Sequence, residues 1–167
     1  MRFKLFILLA FLSDYSYSGI FPEERMDNWA ILDASSKGNY GALVVGFAND
    51  GETKIVYDCN YNLKRNIKYS GLELLFPDGF PKNSSTATIA YSSDIDNSIA
   101  VSSSVFGKNI DMNNLYLWRI LKKASWVSFD IDIHAGNSLI FRQNKIVFNM
   151  TKFNEALSKA DKFCRFK

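Results

Sequence analysis

Residues 126–134 read Trp-Val-Ser-Phe-Asp-Ile-Asp-Ile-His, a strict alternation of side chains. Val127, Phe129, Ile131 and Ile133 fall on one face. Ser128, Asp130, Asp132 and His134 fall on the other, because successive strand residues point to opposite sides. A period of two specifies a half-buried strand rather than a helix. The same pattern recurs upstream in short apolar stretches separated by turn chemistry. Residues 29–34, 40–48, 53–59, 67–76, 85–91 and 99–106 read as strands. Asn49-Asp50-Gly51 is a hairpin signal, since Asp-Gly tolerates the positive φ of a tight turn. Pro77-Asp78-Gly79 is a second turn. In residues 53–59, Ile55, Tyr57 and Cys59 share one face and Lys54, Val56 and Asp58 the other. Residues 138–141 and 145–150 read as a further hairpin, and residues 19–28 as a loose polar lead-in.

Two helices interrupt the strands. One is expected over residues 112–123, capped by Asp111, with Met112, Leu115, Trp118 and Leu121 recurring every three residues. The other follows Thr151, read as its cap. Phe153, Ala156, Leu157, Ala160 and Cys164 form one continuous stripe along it. Strands without regularly intervening helices predict a mainly β fold, specifically an antiparallel β-sandwich with one short internal helix and a C-terminal helix packed on the sheet.

The N-terminus has the order of an export signal. Arg2 and Lys4 precede the apolar run of residues 5–12, and Ser16-Tyr17-Ser18 precedes Gly19. The run is far short of the ~20 residues that span a bilayer. Residues 1–18 are therefore expected to be a signal peptide and residues 19–167 a single exported domain, periplasmic or secreted, with no membrane span. Hydrophobic content of 47% allows a real core. Removing Arg2, Lys4 and Asp14 lowers the net charge from +3 to +2, and the remaining Lys and Arg are dispersed, so nucleic acid is not an expected partner. The only two cysteines, Cys59 and Cys164, sit in an exported context where an even count suggests a disulfide. It closes a loop of about 105 residues, worth about 4.7 kcal/mol in the chain-entropy model.

Asp130, Asp132 and His134 share a strand face with neighbours about 7 Å apart, and such an oxygen-rich group with an imidazole can bind a divalent metal. The plain alternative is a polar outer face, since no second acidic cluster or histidine completes the set. Asp94, Asp96 and Asn97 resemble a fragment of a calcium loop but lack its glycine and terminal glutamate; a turn accounts for them. His134 is the only histidine, and no Gly-x-Ser-x-Gly elbow, phosphate loop, dinucleotide fingerprint or zinc-finger spacing is present, so no catalytic residue and no cofactor is expected. Asn83-Ser84-Ser85 and Asn149-Met150-Thr151 match glycosylation acceptors. Trp29, Trp118 and Trp126 lie in apolar patterns and read as core.

Several segments together carry a family pattern. Residues 117–124 (LWRILKKA) precede the strand at 126–134, residues 137–144 span a hairpin, residues 151–157 (TKFNEAL) open the last helix, and the chain closes on Cys164-Arg165-Phe166. Trp29, the strand ending at Cys59, and residues 72–77 with Gly79 fit as well. The pattern resembles the invasion-associated locus B family of exported bacterial proteins and the small periplasmic proteins associated with type VI secretion. The resemblance implies a periplasmic or secreted β-sandwich, with no catalytic residues, linked to host-cell colonisation.

The expected function is a non-enzymatic binding protein of the bacterial envelope or host interface, with a protein partner. Two alternatives differ in class. One is an inhibitor or immunity protein against a hydrolase such as lysozyme, for which residues 60–69 or 106–114 are the candidate loops. The other is a metal-dependent hydrolase using Asp130, Asp132 and His134.

Overall fold

The computed structural model describes residues 22–35, 39–77 and 86–164. The expected signal peptide, the Asp78-Gly79 part of the Pro-Asp-Gly turn, the acceptor at Asn83 and the final Arg165-Phe166 lie outside them.

The described chain is mainly antiparallel β. The strands are β1 Pro22–Met26, β2 Trp29–Asp33, β3 Asn39–Phe47, β4 Lys54–Asn62, β5 Ile67–Leu75, β6 Thr86–Ser93, β7 Asn97–Phe106, β8 Asn109–Asp111, β9 Trp126–Ala135 and β10 Ser138–Asn149. Helix α1 spans Leu115–Leu121 and helix α2 spans Phe153–Cys164. The strands are hydrogen-bonded in the continuous order β1-β2-β3-β4-β5-β8-β7-β6-β9-β10. Only three residues long, β8 joins the halves by pairing Leu74 with Ile110 on one side and Val105 with Ile110 on the other.

Both halves bury one face in a common core. Val127, Phe129, Ile131 and Ile133 of β9 are fully buried, as their alternation requires, and so are Ile55 and Cys59 of β4. Phe129 meets Phe148 edge to face, and Phe76 beyond β5 meets Phe141 of β10 the same way. The halves also meet at the β3–β4 turn. The Asn49 N–H donates to the Val147 carbonyl at 2.8 Å, and the Val147 N–H donates to Asn49 Oδ1 at 2.8 Å.

The turn reads as its sequence promised. Gly51 has φ +74°, and the Asp50 carboxylate accepts from the Glu52 and Thr53 N–H groups at 2.9 Å each and from the Thr53 hydroxyl at 2.6 Å. Helix α2 buries the expected stripe of Phe153, Ala156, Leu157, Ala160 and Cys164. Trp29 lies against Phe153 at 4.6 Å between ring centres, and a disulfide joins Cys164 to Cys59 with Cα atoms 6.0 Å apart.

Several local expectations are corrected. Residues 22–26 are not loose: β1 pairs with β2 through a turn at Asp27, whose φ is +52°. The hairpin expected between 138–141 and 145–150 is one strand. Its Gln143–Ile146 segment is a bulge, with Lys145 at φ +58°, and the chain reverses earlier, at Gly136 (φ +59°). The first helix is shorter than 112–123 and is capped by Asn114, whose side chain accepts from the Tyr116 and Leu117 N–H groups, not by Asp111. Its buried residues are Leu117, Ile120 and Leu121, at the three- and four-residue spacing of a true helix face. Thr151 does not cap α2; its hydroxyl donates to Asn149 Oδ1, and Lys152 turns into the helix at φ +74°.

Candidate functional site

The two carboxylates on the polar face of β9 are engaged by its neighbour strand. Arg142 of β10 grips Asp132 with both ends of its fork, Nε to Oδ1 at 2.6 Å and a terminal nitrogen to Oδ2 at 2.7 Å. That guanidinium holds the Asp132 carboxyl below its usual range. Asp130 Oδ1 accepts the Lys145 N–H at 2.8 Å and so fastens the bulge. His134 stands opposite Leu139 on one side and Thr86 on the other. Among the described residues no group of three or more His, Cys, Asp or Glu is placed to hold a metal ion.

The β6–β7 turn uses its carboxylates as clasps. Asp94 accepts from the Ser125 N–H at 3.0 Å and from the Ser125 hydroxyl, which lowers its pKa, while Asp96 accepts from the Tyr116 hydroxyl. The turn therefore grips α1 at Tyr116 and the segment that follows the helix at Ser125. Asn97 opens β7. Asn149 Oδ1 accepts the Thr151 N–H at 2.9 Å, so that acceptor site is engaged in the turn before α2. Of the tryptophans, Trp29 is buried and Trp118 packs partly into the core, but Trp126 is 40% exposed. It departs from the core reading because it sits on the outward face of β9.

Neither expected loop is an insertion. Residues 60–69 are the register-paired ends of β4 and β5 around a turn at 63–66. Residues 106–114 comprise the Gly107-Lys108 turn, β8 and the lead to the α1 cap.

A cleft of about 360 Å³ opens where β6 and β7 meet the segment between β8 and α1. Thr86, Ser102, Ser103, Ser104, Asp111, Asn113 and Asn114 supply short hydrogen-bonding groups, and Ile89, Val101, Met112 and Leu117 supply the apolar part. Its walls are braced. The Ser103 hydroxyl donates to the Asp111 carbonyl, and Asn113 Oδ1 accepts the Leu72 N–H at 3.0 Å. Asp111 is the one titratable side chain among the lining residues. The arrangement can hydrogen-bond a ligand across an apolar floor. No local pattern in the sequence marks this cleft. The serines of 102–104 were visible as the polar content of a strand, but the other wall comes from β8 and the α1 cap, which carry no periodic signal.

A further electrostatic feature was also missed. Asp58 and Glu73 lie on the outward face of neighbouring strands, and burial followed by charge repulsion raises both pKa values, Asp58 against Glu73 and Glu73 against Asp111. Asn109 Nδ2 donates to Glu73 at 2.7 Å and offsets part of this.

No family model, no curated protein and no solved structure matches this chain. Among the described residues no helix is long and apolar enough to cross a membrane.

Proposed function

We propose that the protein is an exported, non-enzymatic binding protein, periplasmic or secreted, that engages a protein partner at the bacterial envelope or a host surface. The observation that carries this reading is the cleft between β6–β7 and the α1 cap. It offers hydroxyl, amide and carboxylate groups over an apolar floor. Short hydrogen-bonding groups set beside aliphatic side chains are the composition of a site that recognises a ligand, which supports this reading. The signal-like N-terminus and the Cys59–Cys164 bridge support an oxidising destination. A role in host colonisation follows from the sequence resemblance.

The alternatives have less support. A metal-dependent hydrolase needs Asp132 free, whereas Arg142 occupies both its oxygens. A loop insertion would favour a hydrolase inhibitor; residues 106–114 are instead a turn, a short strand and a helix lead, and residues 60–69 are the end of a paired hairpin.

The test is capture from envelope and host-surface extracts by the exported chain and by Ser104→Arg, which sets a long cation at the rim of the cleft. A partner kept by the wild type and lost by the variant is expected. Equal capture by both would remove the cleft from the reading.

A further inference from the structure

The end of the β4–β5 hairpin is a finger. Every residue from 63 to 70 is exposed, because β8 pairs with β5 only from Glu73 onward. Yet the finger is ordered by its own bonds. Tyr61 pairs with Lys68 and Asn62 with Ile67 without a bulge, Asn62 Oδ1 accepts the Arg65 N–H at 2.9 Å, and the Tyr61 hydroxyl donates to Asn66 Oδ1 at 3.0 Å. Asn66 turns the chain at φ +52°.

The side chains are ordered along its axis. At the extremity stand Leu63, 45% exposed, and Ile67, 55% exposed, beside Lys64 and Arg65. Further back come Tyr61 and Lys68, and then Tyr69, 51% exposed. No carboxylate occurs from residue 59 to residue 72. An extremity where aliphatic groups stand beside cations, backed by tyrosines, suits a bilayer interface, where alkyl groups enter, ammonium and guanidinium groups meet phosphates, and phenols sit at headgroup level. At about 3.4 Å per strand residue, the rungs from the turn back to Tyr69 span roughly 10 Å, the depth to which interfacial elements bury. A bilayer is the better fit than a protein partner, since it supplies acyl chains and anionic phosphates side by side, matching Leu63 and Ile67 next to Lys64 and Arg65.

We propose that the β4–β5 finger docks the protein on a bilayer bearing anionic headgroups. This is a second surface, independent of the cleft, and it can fail while the cleft reading stands.

Vesicle sedimentation tests it, using the chain recovered after export so that residues 5–12 are gone. Vesicles of phosphatidylcholine with phosphatidylglycerol are compared with phosphatidylcholine alone. Binding to the anionic vesicles only is expected, weakened by salt. The charge reversal K64E/R65E should reduce it about tenfold or more, and L63D/I67D should reduce it as well. Both variants should keep the melting temperature and the disulfide, since they alter exposed residues of the tip. No binding to anionic vesicles, or equal binding by wild type and K64E/R65E, overturns the proposal. Normal binding by L63D/I67D overturns insertion of the tip. An acidic protein captured by the finger from extracts, with no vesicle binding, also overturns it.

Discussion

Gly46 of β3 lies opposite Trp29, and a β-carbon there would overlap the indole ring, with ring carbons within 2.7 Å. The indole cannot retreat, because Trp29 is 1% exposed and backed by Phe153. Gly46→Val is therefore an overpacking substitution and should cost about 1–3 kcal/mol in urea unfolding. An unchanged midpoint would show that the indole has room. Asp58 makes the opposite prediction. Its pKa is raised by burial and then by Glu73, so the folded state holds the proton more tightly than the unfolded chain. Stability is therefore lost as pH rises from the ordinary carboxylate range through the raised value. Asp58→Asn should raise the melting temperature at pH 7, and the gain should shrink toward pH 4. A gain that is the same at both values would show that the Asp58 charge is not its source.

At the scale of elements, α2 is held to the sheet twice. Its stripe buries Phe153, Ala156, Leu157 and Ala160 against β2 to β4, and Cys164 ties its last turn to Cys59. The bridge spans 105 positions of sequence, so the chain-entropy model gives about 4.7 kcal/mol. Reduction, or Cys59→Ala with Cys164→Ala, should lower stability by roughly 2–5 kcal/mol. The far-ultraviolet strand signal should survive at low temperature, because the apolar stripe remains. Loss of less than about 1 kcal/mol would mean that the unfolded chain gains little freedom on reduction. Helix α1 is held differently. It is too short to be stable alone, and it is fixed by the Asn114 cap, by Asp96 on Tyr116 and by burial of Leu117, Ile120 and Leu121.

Across the whole molecule, one core runs through both halves of the sheet. Residues from β2, β4, β5, β6, β9, β10 and both helices belong to a single buried cluster. Aromatic contacts cross it, Tyr57 to Trp118 and Trp118 to Phe153. With the core shared, neither half can keep its apolar face dry without the other. Thermal unfolding followed by near- and far-ultraviolet circular dichroism should give coincident transitions. Two separated transitions would show that the halves fold independently. A second, smaller cluster of Leu32, Leu43 and Val45 lies apart from this core, with Phe47 and Val56 packed against it.

The sequence by itself determined the strands of strong alternation, the α2 stripe and the pair of cysteines, because each is a local period or a forced pairing. It determined the Asp50-Gly51 turn for the same reason, since the turn residues carry their own hydrogen bonds. Tertiary structure decided the rest. The residues from 142 to 144 read as a turn but lie within one strand with a bulge between Gln143 and Ile146, where Asp130 on the neighbouring strand captures the Lys145 N–H. The residues from 22 to 26 read as a lead-in but form a strand, because β2 offers them an edge. Asp132 read as a possible ligand but is an ion-pair partner, because register places Arg142 opposite it. The cleft and the finger were legible only as residue types. What makes one a recess and the other a projection is the short β8, which closes a wall beside β7 and leaves the outer half of β5 beyond its reach.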